Sequence, residues 1–247
     1  MLEAGRFVTV ASVGVRVAKL RDGLAQPVAL VMPDPNGARH ISLQCLNVVH
    51  GPQDATYLAQ DLPDYLSRAL RLVSPGPAWG IAGYSEGGYC AANLALLYPG
   101  RYGAAGVLSG YFQPLDDRLG NASQLVDPFG KSLRLRRLNT PPRRLAALPV
   151  SVVVPQFWLG AGSSDRADVS AARAFQQRLL PRQPNVALDL VQGGAHSMLT
   201  WRALVPPLLT WLTGRLVAAA EHPAPRHPVR TARPASRRRP HPAGSHA

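Results

Sequence analysis

The chain is 247 residues long and 46% hydrophobic, enough for one sizeable core with length to spare, which excludes a fibrous or largely disordered protein. No uninterrupted apolar run reaches the roughly 18 residues of a membrane span, and the opening MLEAGRFVTVASVGVRVAKL has no basic n-region, continuous h-region or cleavage site. As written, the chain therefore reads as soluble and cytoplasmic. The formal charge of +13 is unevenly spread, because six arginines and no acid fall in HPAPRHPVRTARPASRRRPHPAGSHA from His222.

The elements follow from the hydrophobic periods. VRVAKLRDGLAQP from Val15 reads as a helix, and Val13, Val15 and Val17 alternate as a strand would. VALVMPD from Val28 is a buried strand running into a Pro-Asp-Pro-Asn-Gly turn, and residues 55–71 carry a helical spacing. The stretch GIAGYSEGGYCAANLALLYPG, residues 80–100, then reads strand, sharp turn, helix. Trp79, Ile81 and Ala82 are the apolar run before the turn; Ala91, Ala92, Leu94, Ala95 and Leu97 recur at helical spacing until Pro99-Gly100.

Ser85 lies at that turn between Gly83 and Gly87. A turn that lifts a hydroxyl clear of a sheet and starts a helix at once brings the residues two before and two after it close together, and glycine removes the clash. The pattern is that of a nucleophile elbow, in which the backbone N–H of Glu86 faces a developing oxyanion.

Beyond it, GAAGVLSG (residues 103–110) is a strand and the basic KSLRLRRLNTPPRRL (residues 131–145) a surface excursion or cap. PVSVVVPQFWLG from Pro149 is the most β-branched strand candidate, residues 167–180 are a helix, and VALDLV from Val186 is the last strand. A final helical pattern over residues 201–218 is interrupted by Pro206-Pro207. Strand and helix in alternation imply a mostly parallel sheet with helices on both faces, whose ligands bind beyond the carboxyl ends of the strands.

A serine hydroxyl needs a neutral imidazole to take its proton and a carboxylate to orient that imidazole. In the order Ser, acid, His, AGSSDRAD after the fourth strand offers Asp165 and Asp168, and QGGAHSMLTW after the last offers His196. Asp165 is preferred because it leaves the strand sooner, Asp168 having the look of a first-turn residue favoured by the helix dipole; Asp189 alternates within its strand and is the weakest choice. Four of the seven histidines lie in the tail and His40 and His50 in an earlier loop, which leaves His196. Tyr84, Tyr111, Phe112, Trp158 and Trp201 are either acyl-pocket lining or core.

Cys45 and Cys90 form no CxxC pair, so neither a zinc site nor a redox dithiol is indicated. One disulfide suits an oxidising compartment, and two buried thiols a reducing one. Residues 1–220 are read as one α/β domain and residues 221–247 as a disordered Pro/Arg-rich tail with weak attraction to anionic surfaces. No aromatic residue is interleaved in the tail to stack on bases, which argues against specific nucleic-acid binding.

Taken together, VMPDPNG, GYSEGGYCAANLAL, GAAGVLSGYF, GSSDR and GGAHSMLTWRALVPPLLTWL resemble the putative-esterase branch of the α/β-hydrolases, which includes esterase D-like enzymes and mycolyltransferases. The resemblance spans residues 28–216. It implies a serine hydrolase acting on small-molecule esters without metal or organic cofactor, with Ser85 as nucleophile, Asp165 as acid, His196 as base and the Glu86 N–H as one oxyanion donor. Relatives of this type are often extracytoplasmic, a setting in which a Cys45–Cys90 disulfide makes sense. The family places two or three further strands before VALVMPD, and the loop after them supplies the second oxyanion N–H. This chain thus reads as amino-terminally shortened or rebuilt. An acyltransferase using the same triad, or a non-catalytic hydrolase-like module, are the alternatives.

Overall fold

The computed structural model describes residues 7–12, 28–34, 42–115 and 127–221. The helix-or-strand reading of residues 13–27, His40 and the tail from His222 lie outside them. Strand β1 (Phe7–Ser12) and strand β2 (Val28–Val31) come first. A helical run follows, made of α1 (Asp54–Thr56), a π-helical turn (Tyr57–Asp61) and α2 (Leu62–Ala69). Then come β3 (Gly76–Tyr84), α3 (Glu86–Leu97), β4 (Tyr102–Leu108), α4 (Leu133–Leu138), α5 (Pro141–Ala147), β5 (Gln156–Gly162), α6 (Arg166–Leu179), β6 (Ala187–Val191) and α7 (Met198–Glu221).

The six strands form one sheet in the order β2-β1-β3-β4-β5-β6. The run β3 to β6 is parallel, whereas β1 is antiparallel to both β2 and β3. Antiparallel β1 enters the sheet at its carboxyl edge, where Phe7 pairs with Gly83.

Alternation along the central strands sorts the core into two layers. Trp79 and Ile81 of β3, Ala105 and Val107 of β4, and Phe157 and Leu159 of β5 face the layer built from α2, α3, α5 and α6. Ala82 and Tyr84, Ala104 and Leu108, and Trp158 face α7, which presents Leu204, Leu208, Leu212 and Leu216 at a spacing of four residues. The interleaved glycines on that face make room for the leucines: a Cβ at Gly80 would strike Leu212, and one at Gly106 would strike Leu208. Among the described residues α7 is the one helix long and apolar enough to cross a membrane by length and composition; here its leucine stripe is seated on the sheet.

Two elements differ from the sequence reading. α7 runs unbroken through Pro206 and Pro207. The carbonyls that lose their donors belong to Arg202 and Ala203, and these residues and both prolines are exposed, so water can satisfy the carbonyls while the opposite face keeps the helix packed. The valine-rich run before β5 is not strand: Val150 and Val153 are 94% and 85% exposed, and pairing with β4 starts at Gln156. Pro155 has no N–H for the ladder, so β-propensity upstream of it finds no partner.

The two cysteines form a disulfide, with Cα atoms 5.7 Å apart and a sequence separation of 45. It joins the loop before α1 to the second turn of α3, and both residues are buried.

Leu212→Ala leaves a cavity against Gly80 and is expected to cost about 2–5 kcal/mol of unfolding free energy in a denaturant titration. Replacing both Cys45 and Cys90 by Ala removes a cross-link over a long loop, and a loss of about 4 kcal/mol is expected.

Candidate active site

Ser85 ends β3 and begins α3 with φ 53° and ψ −121°, a left-sided backbone conformation that a non-glycine residue holds only when its surroundings fix it. They do so here. Its N–H donates to the carbonyl of Leu108 at 2.9 Å, and its own carbonyl accepts from Gly88 and Tyr89. Gly83 and Gly87 are both buried beside it, and the turn has a further close approach that the sequence reading missed: a Cβ at Gly88 would come 2.9 Å from the Cα of Gly110. The second glycine of Gly87-Gly88 was its signal. As the first residue of α3, Glu86 has no acceptor within the helix for its N–H.

His196 follows β6, and the acids follow β5. These two neighbouring strands end in loops joined by their backbones. Ser163 N–H donates to Val191 at 2.9 Å and Ser164 N–H to Gly194 at 2.8 Å. A Cβ on Gly162 would strike the Gly194 backbone. This close approach brings the histidine over the start of α6.

The imidazole joins the two sides of the site. His196 Nε2 lies 3.0 Å from Ser85 Oγ, and Nδ1 lies 2.7 Å from Asp168 Oδ2. In the tautomer that serves both contacts, Nδ1–H donates to Asp168 and Nε2 accepts from the serine hydroxyl. Trp201, stacked on Tyr84 with ring centroids 4.2 Å apart, meets the His196 ring edge-on at 5.0 Å.

The carboxylate hydrogen-bonded to His196 is thus Asp168, where the sequence reading preferred Asp165. Asp165 is the N-cap of α6: its Oδ1 accepts from Asp168 N–H at 3.0 Å, and its Oδ2 stays 3.8 Å from His196 Nδ1. Capping spends the shorter reach of Asp165 on its own helix, while Asp168, one turn in, projects towards the β6 loop. Asp189 sits in β6, paired with Gly160. Asp165, Asp168 and His196 each bring a donor atom within 4.8 Å of the others, a set that could take a metal ion; Asp168 and His196 already engage each other through those atoms. Of the aromatic candidates, Tyr84, Phe112, Trp158 and Trp201 are buried core, and Tyr111 is half-buried.

Burial lifts the Asp168 carboxyl above the ordinary carboxylate value, and the hydrogen bond from His196 opposes the shift. A folded value above the unfolded one means that ionised Asp168 is less favourable in the native state. It costs stability near neutral pH, and the cost vanishes as pH falls below the unfolded value.

Several features were invisible in the sequence. Ser42 donates to Glu86 Oε2, and the buried Gln44 accepts through Oε1 from Leu115 N–H at 2.8 Å and from the Tyr111 hydroxyl at 3.3 Å. Neither residue belongs to any pattern that singles it out.

The family model described as Putative esterase matches residues 21–219. An uncharacterized protein of Corynebacterium glutamicum is 29% identical over 167 residues, covering 65% of this chain and 38% of its own length. The chain thus spans well under half of that relative. Among solved structures, a ferulic acid esterase superposes with TM-score 0.58 at 15% identity, over 78% of this chain and 72% of its own. A Staphylococcus aureus fluorophosphonate-binding serine hydrolase superposes with TM-score 0.56 at 19% identity, over 75% and 71%. At these identities the likeness is one of fold, the α/β-hydrolase type.

The two acids can be told apart by isosteric change. Asp168→Asn is expected to lower ester turnover by roughly 10³- to 10⁴-fold while leaving the melting temperature unchanged or raised. Asp165→Asn, which still caps α6, should stay within about tenfold of wild type. Parallel rate and melting measurements on the two variants decide the assignment.

Proposed function

Since the chain belongs to the Putative esterase family, we propose that it cleaves carboxylic esters by acyl transfer through Ser85, with His196 as general base and Asp168 as the orienting carboxylate. The observation that carries this reading is the single imidazole within hydrogen-bond reach of both partners, 3.0 Å from Ser85 Oγ and 2.7 Å from Asp168 Oδ2.

Ser85 Oγ attacks the ester carbonyl carbon as its proton passes to His196 Nε2. The imidazolium so formed is held by Asp168 through Nδ1–H. The carbonyl oxygen becomes an oxyanion within reach of the Glu86 N–H at the start of α3, where the helix dipole also favours negative charge. Collapse breaks the bond to the alcohol oxygen, which leaves with the proton from Nε2. Water then gives a proton to Nε2 and attacks the acyl carbon, and the second collapse returns the proton to Ser85 and frees the acid. The residues themselves carry every proton in this cycle, so it calls for no cofactor.

A fluorophosphonate probe should label the wild-type protein and leave Ser85→Ala unlabelled, read by in-gel fluorescence; equal labelling of the two would refute the assignment. Hydrolysis of a p-nitrophenyl ester should fall on acidification, because an imidazolium cannot accept the serine proton, and a rate flat with pH would count against His196 as base.

A further inference from the structure

We infer that Glu86 also acts through its side chain, as a positioning residue: with Ser42 it clasps the loop beside the site onto the first turn of α3 and so fixes the peptide that would bind the oxyanion. The inference rests on the hydrolase reading above and adds a residue pair to it.

Glu86 and Cys90 are four residues apart and share one face of α3. Each holds the same loop: Glu86 Oε2 accepts from the Ser42 hydroxyl, and Cys90 is bonded to Cys45. The loop is therefore pinned to α3 at two points three residues apart. Within that span, Gln44 adopts φ 51° and the pinned Cys45 itself φ 54°, conformations that need such fixing. The hydrogen bonds run in one direction. Gln44 N–H donates to Ser42 Oγ at 3.2 Å, and the Ser42 hydroxyl donates on to Glu86. The Gln44 side chain extends the link across the site to Leu115, past the end of β4.

A carboxyl in this place is costly. Burial raises Glu86 above its ordinary value, the Ser42 hydrogen bond opposing, and Oε1 has no hydrogen-bond partner. An apolar side chain would fill the position without that cost. What the carboxyl supplies is a directional bond from the residue whose N–H faces the oxyanion to a loop that a disulfide already immobilises. A misplacement of about 1 Å at such a donor can cost about a hundredfold in rate.

Phosphonylation by a fluorophosphonate reads the donor directly. The Ser85 Oγ–P bond forms, the P–F bond breaks, fluoride leaves, the serine proton passes to His196, and negative charge builds on the phosphoryl oxygen in the oxyanion site. With the disulfide-bonded full chain, the labelling rate is measured against probe concentration, which separates the maximal rate from the non-covalent affinity. Glu86→Ala and Ser42→Ala are expected to lower the maximal rate roughly tenfold or more with affinity within about twofold. Glu86→Gln, whose amide oxygen can still accept from Ser42, should lose less than Glu86→Ala. The Ser42→Ala/Glu86→Ala double variant should be no slower than Glu86→Ala alone. Should Glu86→Ala lose its thermal transition, Ser42→Ala, which removes one hydroxyl, carries the comparison.

Wild-type maximal rates in Ser42→Ala and Glu86→Ala, or losses confined to affinity, would overturn the clasp while leaving the serine hydrolase intact. A wild-type protein that takes no label at Ser85 would remove the hydrolase reading and the clasp with it.

Discussion

The structure turns on one small contact, the meeting of the loops after β5 and β6. An imidazole can serve a hydroxyl and a carboxylate together only if both stand on the correct sides of its ring, and here the three groups come from positions 85, 168 and 196. Ser85 is set by β3 and α3, elements anchored deep in the core. The histidine has no comparable anchor, being about two-fifths exposed. Its placement depends on Gly162 and Gly194, whose backbones approach so closely that a side chain on either would push the β6 loop away. Behind it, Trp201 ties the ring to α7 and so to the far face of the sheet.

That far face shows how the same economy is used on a larger scale. Among the described residues one helix, α7, packs on it, and its leucines reach the sheet because Gly80 and Gly106 leave room between Ala82, Ala104 and Leu108. The α7 leucines and the Trp201 that backs His196 belong to one rigid element. Packing on the sheet and orientation of the imidazole are therefore coupled, and loosening α7 would disturb both.

Much of this was legible in the residues. The strand-turn-helix around Ser85, the meeting of Ser85 with His196 and the placing of both beyond the carboxyl ends of parallel strands follow from local pattern and from where such a sheet binds ligands. The carboxylate that meets His196 differs from the one the sequence favours for a physical reason. Asp165 and Asp168 are equivalent in type, and distance along the chain cannot reveal that a helix N-terminus will capture the nearer one as its cap. The valine run before β5 misled in the opposite way, since β-branched residues record a preference that is met only where a partner strand exists and the backbone can donate to it. Helix α7 was read as broken because prolines lack a donor, yet their cost depends on whether the orphaned carbonyls meet water. The Ser42–Glu86 link left no sequence signal, because a hydrogen bond between residues 44 positions apart has no period and no motif.

The two raised carboxyls bear on why the site is arranged as it is. Asp168 and Glu86 are both pushed towards their neutral forms by burial, the hydrogen bond from His196 being the foremost opposing influence in the first and that from Ser42 in the second. Their situations differ. In the proposed cycle Asp168 faces a group that becomes positive as the serine gives up its proton, so its charge, unfavourable in the resting fold, becomes favourable when the imidazolium forms. Glu86 faces no such partner among the described residues, and in the same cycle its charge would lie near an oxyanion rather than a cation. A neutral or strongly hydrogen-bonded carboxyl is what that position tolerates, and the Ser42 hydroxyl is the donor the structure provides. In that cycle the same burial serves opposite ends: it primes one carboxylate to stabilise a developing positive charge and quiets another beside a developing negative one.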